Sequence, residues 1–309
     1  MILDTGRTQI DFSKKVAVMA ILNATPDSFF DKGKYYGVEQ GTERAKEILA
    51  AGADIIDIGG VKAAAGKPLS AEEEIARVVP LLEEVRKLTD APISVDTFSS
   101  EVARAALGAG ADIINDISGL RDPRLTEEIA QAGAHVVLTH IDGQPRTWRP
   151  FRNYDDVTKE VTEFLEERIE AAVSGGIKRE KMILDPGLDF DKDTPYSLEL
   201  LRNLPELKKL GLPVLVAASR KDFIGEALGG LEPEDRLAGT AAAVTYSIAR
   251  GANIARVHDA AFMTEVVRMT EAMLGMGKWE KETLEEWWTP MRKSILRGPP
   301  EDQAPPNRV

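Results

Sequence analysis

Polar and charged side chains follow short apolar runs along this chain, at Asn23, Asp27, Asp57, Asp96, Asn115, Asp116, His140, Asp185, Lys221, Arg256 and His258. Ionised carboxylates only accept hydrogen bonds, whereas lysine and arginine only donate them. If these side chains converge, they can satisfy a polar, planar ligand from several sides. A single aspartate at the end of a strand is often only a helix N-cap, and for Asp57 and Asp116 that interpretation stays open.

An internal repeat indicates how the chain brings these side chains together. The segments that share it are 51–60 (AGADIIDIGG), 109–119 (AGADIINDISG), 132–140 (AGAHVVLTH) and 250–259 (RGANIARVHD). Each has an alanine and glycine that can end a helix, then a short apolar run, then polar residues. An apolar run of this length is typical of a strand buried on both faces. The repeat therefore predicts the helix-to-strand joints of a parallel sheet.

Eight apolar runs qualify as strands, namely 16–22, 54–58, 92–95, 112–114, 135–139, 181–184, 213–217 and 253–257. Amphipathic helical segments separate them, and one of these, 70–88, opens with Ser70 and Glu73 in capping-box spacing. An open sheet is disfavoured because no G-x-G-x-x-G follows the first strand. We predict a TIM (β/α)8 barrel over residues 1–274, with the polar side chains at the carboxyl ends of the strands, where such barrels carry their active sites.

Residues 275–309 differ in composition from the rest and are expected to form a C-terminal extension. Residues 279–296 are predicted to be partly helical, with Trp287 and Trp288 as an apolar anchor. The proline-rich end is predicted to be disordered. Paired tryptophans usually cover the end of a barrel or pack on a neighbouring subunit.

The composition limits the classes of function. The net charge of −12 argues against nucleic acid or an anionic membrane surface as partner. The absence of cysteine excludes disulfides and thiolate metal sites, and three scattered histidines do not suggest a metal cluster. Residues 1–15 do not resemble a signal peptide, and no apolar run approaches the ~20 residues that span a bilayer. We therefore expect a cytoplasmic protein whose partners are small molecules, and a homodimer is left open.

Nine segments resemble the dihydropteroate synthase family, in the same order, over about residues 15–274. They are ILNATPDSFFDKG (21–33), DIIDIGG (54–60), ISVDT (93–97), INDISG (114–119), THIDGQP (139–145), ILDPGLDFDK (183–192), SRKDFIG (219–225), RLAGTAA (236–242) and RVHD (256–259). The resemblance implies a transferase of folate biosynthesis. Such an enzyme joins 6-hydroxymethyl-7,8-dihydropterin diphosphate to an aryl amine such as 4-aminobenzoate.

The resemblance assigns the pterin pocket to Asp96, Asn115, Asp185, Phe190 and Lys221. A pterin offers an edge of N–H donors that suits ionised carboxylates, and its ring carbonyl suits a lysine donor. An aromatic ring provides a face beside the pterin.

The diphosphate is assigned, also by resemblance, to Asn23, Arg256 and His258. Asn23 is the candidate ligand of Mg²⁺, a hard ion that takes oxygen ligands and substrate phosphates. The catalytic candidates are Lys221, Arg256 and His258. We expect Arg256→Ala to weaken binding of the diphosphate and to leave binding of the bare pterin alcohol nearly unchanged.

The chain departs from the family pattern mainly around the second substrate. Where the family usually has GGESTRPG, residues 59–66 read GGVKAAAG, so that Lys62 is the only cation left in that loop. Asp222 follows Lys221 where a small polar residue is usual, and we expect it to repel the carboxylate of 4-aminobenzoate. Asp189 and Asp191 stand in place of glycines. The second-substrate region is therefore assigned to Lys62 and Asp222.

These departures leave three interpretations open. The first is the transferase, with its activity on 4-aminobenzoate uncertain. The second is a paralogue that binds pterins but has lost catalysis, because loop residues that complete the family's active site are missing. The third is a pterin-barrel methyltransferase, which the diphosphate residues Arg256 and His258 disfavour.

Overall fold

The computed structural model describes residues 1–24, 37–61, 66, 69–147 and 152–276, and it places a ring of parallel strands inside a layer of helices. The strands are β1 (Ile2–Asp4), β2 (Gln9–Asp11), β3 (Ala17–Asn23), β4 (Ile55–Gly59), β5 (Ile93–Asp96), β6 (Ile113–Asp116), β7 (His135–Thr139), β8 (Met182–Asp185), β9 (Leu215–Val216) and β10 (Ile254–Val257). The helices are α1 (Val38–Ala50), α2 (Ala71–Leu88), α3 (Ser100–Gly108), α4 (Pro123–Ala132), α5 (Val157–Ser174), α6 (Thr194–Arg202), α7 (Leu204–Lys208), α8 (Asp222–Ala227), α9 (Leu237–Ala249) and α10 (Ala260–Met273).

The strands β3 to β10 form a parallel barrel. Consecutive strands pair with each other from β3 through to β8, and β10 lies between β9 and β3. A bridge between Leu184 and Val214 joins β8 to β9 and closes the ring. The predicted TIM barrel is thereby confirmed, and the bounds of the eight predicted strands agree with the observed ones to within two residues.

Alternate residues of the barrel strands face two different environments. The interior of the ring is filled by one apolar cluster that includes Met19, Ile55, Ile113, Val137, Ile183, Leu215 and Ile254. Neighbouring residues such as Ile56, Ile114 and Val136 belong to a second cluster, which packs under the helices. Because side chains alternate along a strand, the residue two positions after an interior apolar residue also points into the ring.

The amino end of the barrel is closed by a hairpin that the sequence did not predict. β1 and β2 pair antiparallel, and the buried side chains of Leu3, Ile10 and Phe12 join the interior cluster. The backbone carbonyl of Asp4 lies 2.9 Å from Nε2 of His135. This histidine therefore stabilises the end of the barrel that is opposite to the carboxyl ends of the strands.

The predicted capping box at the start of α2 is confirmed. Ser70 Oγ accepts from the backbone N–H of Glu73 at 3.2 Å, and the Glu73 carboxylate accepts from the backbone N–H of Ser70 at 3.2 Å. Together they satisfy two donors that would otherwise lack partners in the first helical turn. The helix then buries an apolar stripe against the barrel, formed by Val78, Leu81, Leu82 and Val85.

Some sequence-based predictions lie outside the described residues. They concern Asp27, Lys62 and nearly all of the predicted C-terminal extension, including Trp287 and Trp288. Among the helices of the described ranges, none combines the length and the apolar character needed to cross a bilayer.

Candidate active site

A polar layer lies above the apolar interior of the barrel, at the carboxyl ends of the strands. In four strands the interior apolar residue is followed two positions later by a charged or amide side chain, which gives Asp57, Asn115, Asp185 and Arg256. The strand periodicity places all four side chains inside the ring. The site is therefore formed by polar side chains at the carboxyl ends of strands whose other inward-facing residues are apolar.

Arg256 joins two carboxylates across the mouth of the barrel. Its Nε donates to Asp57 Oδ2 at 2.7 Å and its Nη2 donates to Asp96 Oδ2 at 2.7 Å. Asn115 Nδ2 donates to the same oxygen of Asp57 at 3.3 Å. The guanidinium has five N–H donors, so it can bind both carboxylates and still donate to a further anion.

This bridge shapes the charge of the site. Burial alone would lower the pKa of Arg256, but the carboxylates of Asp57 and Asp96 outweigh that effect and raise the pKa above its ordinary value. Burial raises the pKa of Asp96 to about 7, although Arg256 opposes the shift. Asp96 is thus poised between its neutral and ionised forms near neutral pH, whereas Arg256 stays charged.

Asp185 ends β8 at the wall of the same mouth. Its side chain is buried, and Oδ1 accepts from the backbone N–H of Gly187 at 2.7 Å. A Cβ at Gly187 would lie 1.9 Å from the carbonyl oxygen of His140, so only glycine lets the loop close this tightly behind Asp185. Burial raises the pKa of Asp185, and the charge of Lys221 opposes the shift.

Lys221 comes from the loop between β9 and α8. Its ammonium group donates to the carbonyl oxygen of Leu188 and lies 4.7 Å from the centre of the Phe190 ring. Burial lowers the pKa of Lys221, while Asp189 and Asp185 oppose the shift. The family resemblance assigns Phe190 to the pterin pocket. In the structure its ring makes a cation–π contact that orients the lysine.

Asn23 and His258 lie at the ends of β3 and β10, which are neighbouring strands of the barrel. His258 Nδ1 is 3.0 Å from Ser219 Oγ, and the backbone N–H of His258 donates to the same oxygen at 3.2 Å. Asn23 pairs in register with Gly59, where an added Cβ would lie 3.8 Å from Asn23 Oδ1. The amide of Asn23 therefore lies beside the backbone of Gly59.

Asn23 is the residue that suits Mg²⁺. Within the described ranges, no group of three or more histidine, aspartate or glutamate side chains is arranged to enclose a metal ion. Mg²⁺ in enzymes usually takes only one or two protein oxygens and completes its shell with water and substrate phosphates. Asn23, at the end of β3, offers one amide oxygen, which fits that limited role.

Two strand-end aspartates that looked alike in the sequence behave differently. Asp116 accepts from the backbone N–H groups of Ser118 and Leu120 at 2.7 and 2.5 Å, so it supports its own loop, but it is not a helix N-cap, because Asp122 caps α4. Burial raises its pKa to about 6. Asp57 makes the bond to Arg256 instead, and its side chain is fully buried. The capping interpretation is therefore wrong for both aspartates.

His140 supports a loop and does not face the polar layer. Its Nδ1 lies 2.8 Å from Lys192 Nζ, and burial lowers its pKa to about 2, so the ring is neutral. The buried ammonium of Lys192 also donates to the carbonyl oxygens of Gly187 and Phe190 at 3.0 and 2.9 Å. Lys192, which the sequence did not single out, thereby fixes the loop that carries Phe190.

Asp222 faces a cation of its own chain. It is the first residue of α8, and its carboxylate binds Arg236 Nη1 at 2.7 Å while its side chain stays 75% exposed. The helix is capped from another loop, because Asp189 Oδ2 accepts from the backbone N–H of Asp222 at 2.6 Å. A paired and solvated carboxylate repels a nearby anion less than a buried, unpaired one does.

Comparisons with known proteins match this chain to one family. A model of pterin binding enzymes matches residues 19–258. Dihydropteroate synthase of Synechocystis sp. is 42% identical over 273 residues, which cover 88% of this chain and 94% of that protein. A Mycobacterium leprae protein named inactive dihydropteroate synthase 2 is 44% identical over 266 residues, covering 84% and 90%. The structure of Xanthomonas albilineans dihydropteroate synthase with 4-aminobenzoic acid matches at 40% identity with a TM-score of 0.82, covering 89% of this chain and 99% of that one.

Proposed function

The chain belongs to the pterin-binding enzyme family, and from that premise we propose that it binds 6-hydroxymethyl-7,8-dihydropterin diphosphate at the carboxyl ends of its strands and joins it to an aryl amine such as 4-aminobenzoate. The observation that carries the proposal is the polar layer in which three acids, of which Asp57 and Asp185 are buried, lie together with an amide, a lysine and an arginine. This set matches a ligand with a donor-rich ring and an anionic tail.

The pterin end of the ligand fits the acids. Asp185 and Asp96 accept from the N–H edge of the pterin, and Asn115 completes that edge. Lys221 donates to the ring carbonyl, and Phe190 lies under its ammonium group. Each buried carboxylate gains a partner when the ligand binds, which removes part of the cost of burying it.

The diphosphate end fits the neighbouring strands β3 and β10, near whose carboxyl ends Asn23, Arg256 and His258 lie. Arg256 donates to phosphate oxygens with the N–H groups that the carboxylates do not use. Mg²⁺ bound through Asn23 would supply positive charge to the leaving diphosphate. The protein itself contributes the fixed cation and the orientation of both ends.

In the proposed reaction the C–O bond between the pterin methylene and the diphosphate breaks, and the diphosphate leaves with the electron pair. The amine nitrogen forms the new C–N bond and releases a proton. Lys221, Arg256 and His258 are the catalytic candidates because they hold the two ends of the ligand. Positioning and fixed charge, rather than acid–base chemistry by a titrating residue, then lower the barrier.

Product formation tests this proposal. The purified protein is incubated with Mg²⁺, the dihydropterin diphosphate and 4-aminobenzoate, and dihydropteroate and diphosphate are quantified by chromatography. We expect equal amounts of both products, and a strong loss of both in Asp185→Asn. Release of diphosphate without dihydropteroate would mean hydrolysis and would contradict the transfer.

A pterin-binding protein without catalysis is the second candidate. The similarity to a protein named inactive favours it, as does the loop 59–66, where GGVKAAAG lacks the threonine, arginine and proline of the family pattern. Tight binding of the pterin diphosphate with no product from any aryl amine would establish this second function. The methyltransferase alternative has no comparable support.

The charge state of Asp96 predicts how pterin binding depends on pH. Because its pKa is raised to about 7, Asp96 becomes protonated as the pH falls below 7 and loses acceptor capacity for the pterin N–H groups. We expect affinity for 6-hydroxymethylpterin to decrease as the pH falls below about 7, by up to about tenfold per pH unit. The bare alcohol avoids titration of the phosphates, and calorimetry measures the affinity.

Asp96→Asn is the control for this pH dependence. The amide cannot ionise, so the slope below neutral pH is expected to disappear, although overall affinity is lower. Equal affinity of the wild type at about pH 6 and about pH 8 would show that ionised Asp96 is not a pterin acceptor.

The ion pair of Asp222 changes what we expect for the second substrate. Since the carboxylate is exposed and paired with Arg236, Asp222→Ser should change kcat/KM for 4-aminobenzoate by less than about threefold. Steady-state rates with 4-aminobenzoate and with aniline test this. A gain of about tenfold that is confined to 4-aminobenzoate would restore the strong repulsion expected from the sequence.

A further inference from the structure

Helix α8, which follows Lys221, is capped by a residue from a different loop. Lys221 occupies the N-cap position and its side chain makes no capping bond. Asp189 Oδ2 accepts from the backbone N–H groups of Asp222 and Phe223 at 2.6 and 3.4 Å. Carboxylates at the start of a helix satisfy N–H groups that have no partner within the helix. The loop after β8 is thus tied to the first turn of α8.

The carboxylate of Asp189 is itself held in place. The backbone N–H of Asp189 donates to Ser197 Oγ at 3.2 Å, and Ser197 Oγ is 3.4 Å from Asp189 Oδ1. The backbone of Asp189 is left-handed, with a φ of 63°, a conformation that aspartate tolerates better than most residues. A glycine, which the family pattern has here, would allow this backbone but would provide no cap and no charge.

Asp189 also sets the charge around the ammonium group of Lys221. The charged groups that act on Lys221 are Asp189, Asp185, Arg256 and Asp222. Burial lowers the pKa of Lys221, and Asp189 provides the largest opposing effect, followed by Asp185. Asp185 is engaged by the proposed pterin ligand, whereas Asp189 binds the start of α8 and follows Leu188, whose carbonyl oxygen accepts from Lys221.

We propose that Asp189 is a positioning residue for Lys221, which fixes the start of α8 and adds a negative charge next to Leu188, whose carbonyl oxygen binds the Lys221 ammonium group. The proposal rests on the proposed function. Asp189, which departs from the family pattern, thereby helps to organise the pterin pocket. Pterin affinity at alkaline pH then depends on a residue that does not touch the ligand.

Two substitutions separate the cap from the charge. Asp189→Asn keeps an oxygen that can accept from the helix N–H groups but removes the charge, whereas Asp189→Gly removes both. Asp193→Asn is the matched control, because it removes a carboxylate from the same loop. That carboxylate caps α6 by accepting from the backbone N–H of Tyr196 at 3.1 Å. An asparagine can make the same capping bond, so only the charge is lost.

The affinity of each protein for 6-hydroxymethylpterin is measured by calorimetry between about pH 7 and pH 10, where deprotonation of Lys221 weakens binding. For Asp189→Asn we expect this alkaline loss to begin about one pH unit lower than in the wild type. Asp189→Gly should show the same shift and a further loss of affinity of about tenfold at neutral pH. Titration of the ligand is common to all variants.

Asp193→Asn should follow the wild-type profile. If Asp189→Asn also follows it, with the melting temperature unchanged, Asp189 supplies no counter-charge and the proposal is overturned. If Asp189→Gly binds as tightly as the wild type at neutral pH, the positioning role is overturned as well. A wild-type protein that binds no pterin at any pH would instead refute the proposed function.

Discussion

Asp185→Asn is expected to weaken binding of the pterin diphosphate by about thirtyfold or more, which corresponds to about 2 kcal/mol for a charged hydrogen bond left unmade in a buried site. The amide presents an N–H group where the pterin also presents donors, so the mismatch adds to the loss of charge. Calorimetric titration of both proteins under identical conditions measures the effect.

The loop behind Asp185 provides the control. An asparagine oxygen can still accept from the backbone N–H of Gly187, the bond that Asp185 makes at 2.7 Å, so the melting temperature is expected to change little. Affinity equal to that of the wild type would show that the pterin does not bind at Asp185. Loss of affinity together with loss of folding would not support the assignment.

Arg256→Ala is expected to lower the free energy of unfolding by about 3–5 kcal/mol, because it leaves the buried carboxylate of Asp57 without its cation. Asp57 is fully buried, and its bond to Arg256 is 2.7 Å long. Urea denaturation of the protein without ligand measures the loss. The same substitution also removes the donor that binds Asp96. Because Asp96 is then no longer held in place as a pterin acceptor, we expect weaker binding of the bare pterin alcohol as well as of the diphosphate.

A second substitution distinguishes lost charge pairing from lost packing. Asp57→Asn in the Arg256→Ala background removes the unpaired carboxylate and should recover part of the lost stability. If Arg256→Ala unfolds at the same urea concentration as the wild type, the bridge contributes nothing to stability. If the double variant is less stable than the single one, the unpaired charge is not the cause.

The barrel could be predicted from the sequence because its signals are local. Most barrel strands are short apolar runs after a helix-ending glycine, and the repeat at segments such as 51–60 and 109–119 gives the same joint several times. The capping box of Ser70 and Glu73 is also a local pattern, since its two residues are three positions apart. The ring of polar strand ends followed from the barrel itself.

The contacts inside the site could not be predicted, because they join residues that lie far apart in the chain. The bridge from Arg256 to Asp57 spans 199 positions, and the contact of Lys192 with His140 spans 52. No local spacing distinguishes Asp57, which binds Arg256, from Asp116, which supports its own loop. The hairpin of β1 and β2 was missed because its strands have only three residues each and lack a long alternating pattern.

The measurement that tests the central claim most directly is a sequential titration of the wild-type protein in the presence of Mg²⁺. The dihydropterin diphosphate is added first, and 4-aminobenzoate is added to the complex. We predict saturable binding of one pterin diphosphate per chain, followed by a second heat as the amine binds and reacts. A folded wild-type protein that shows no binding of the dihydropterin diphosphate in the first step would contradict the account.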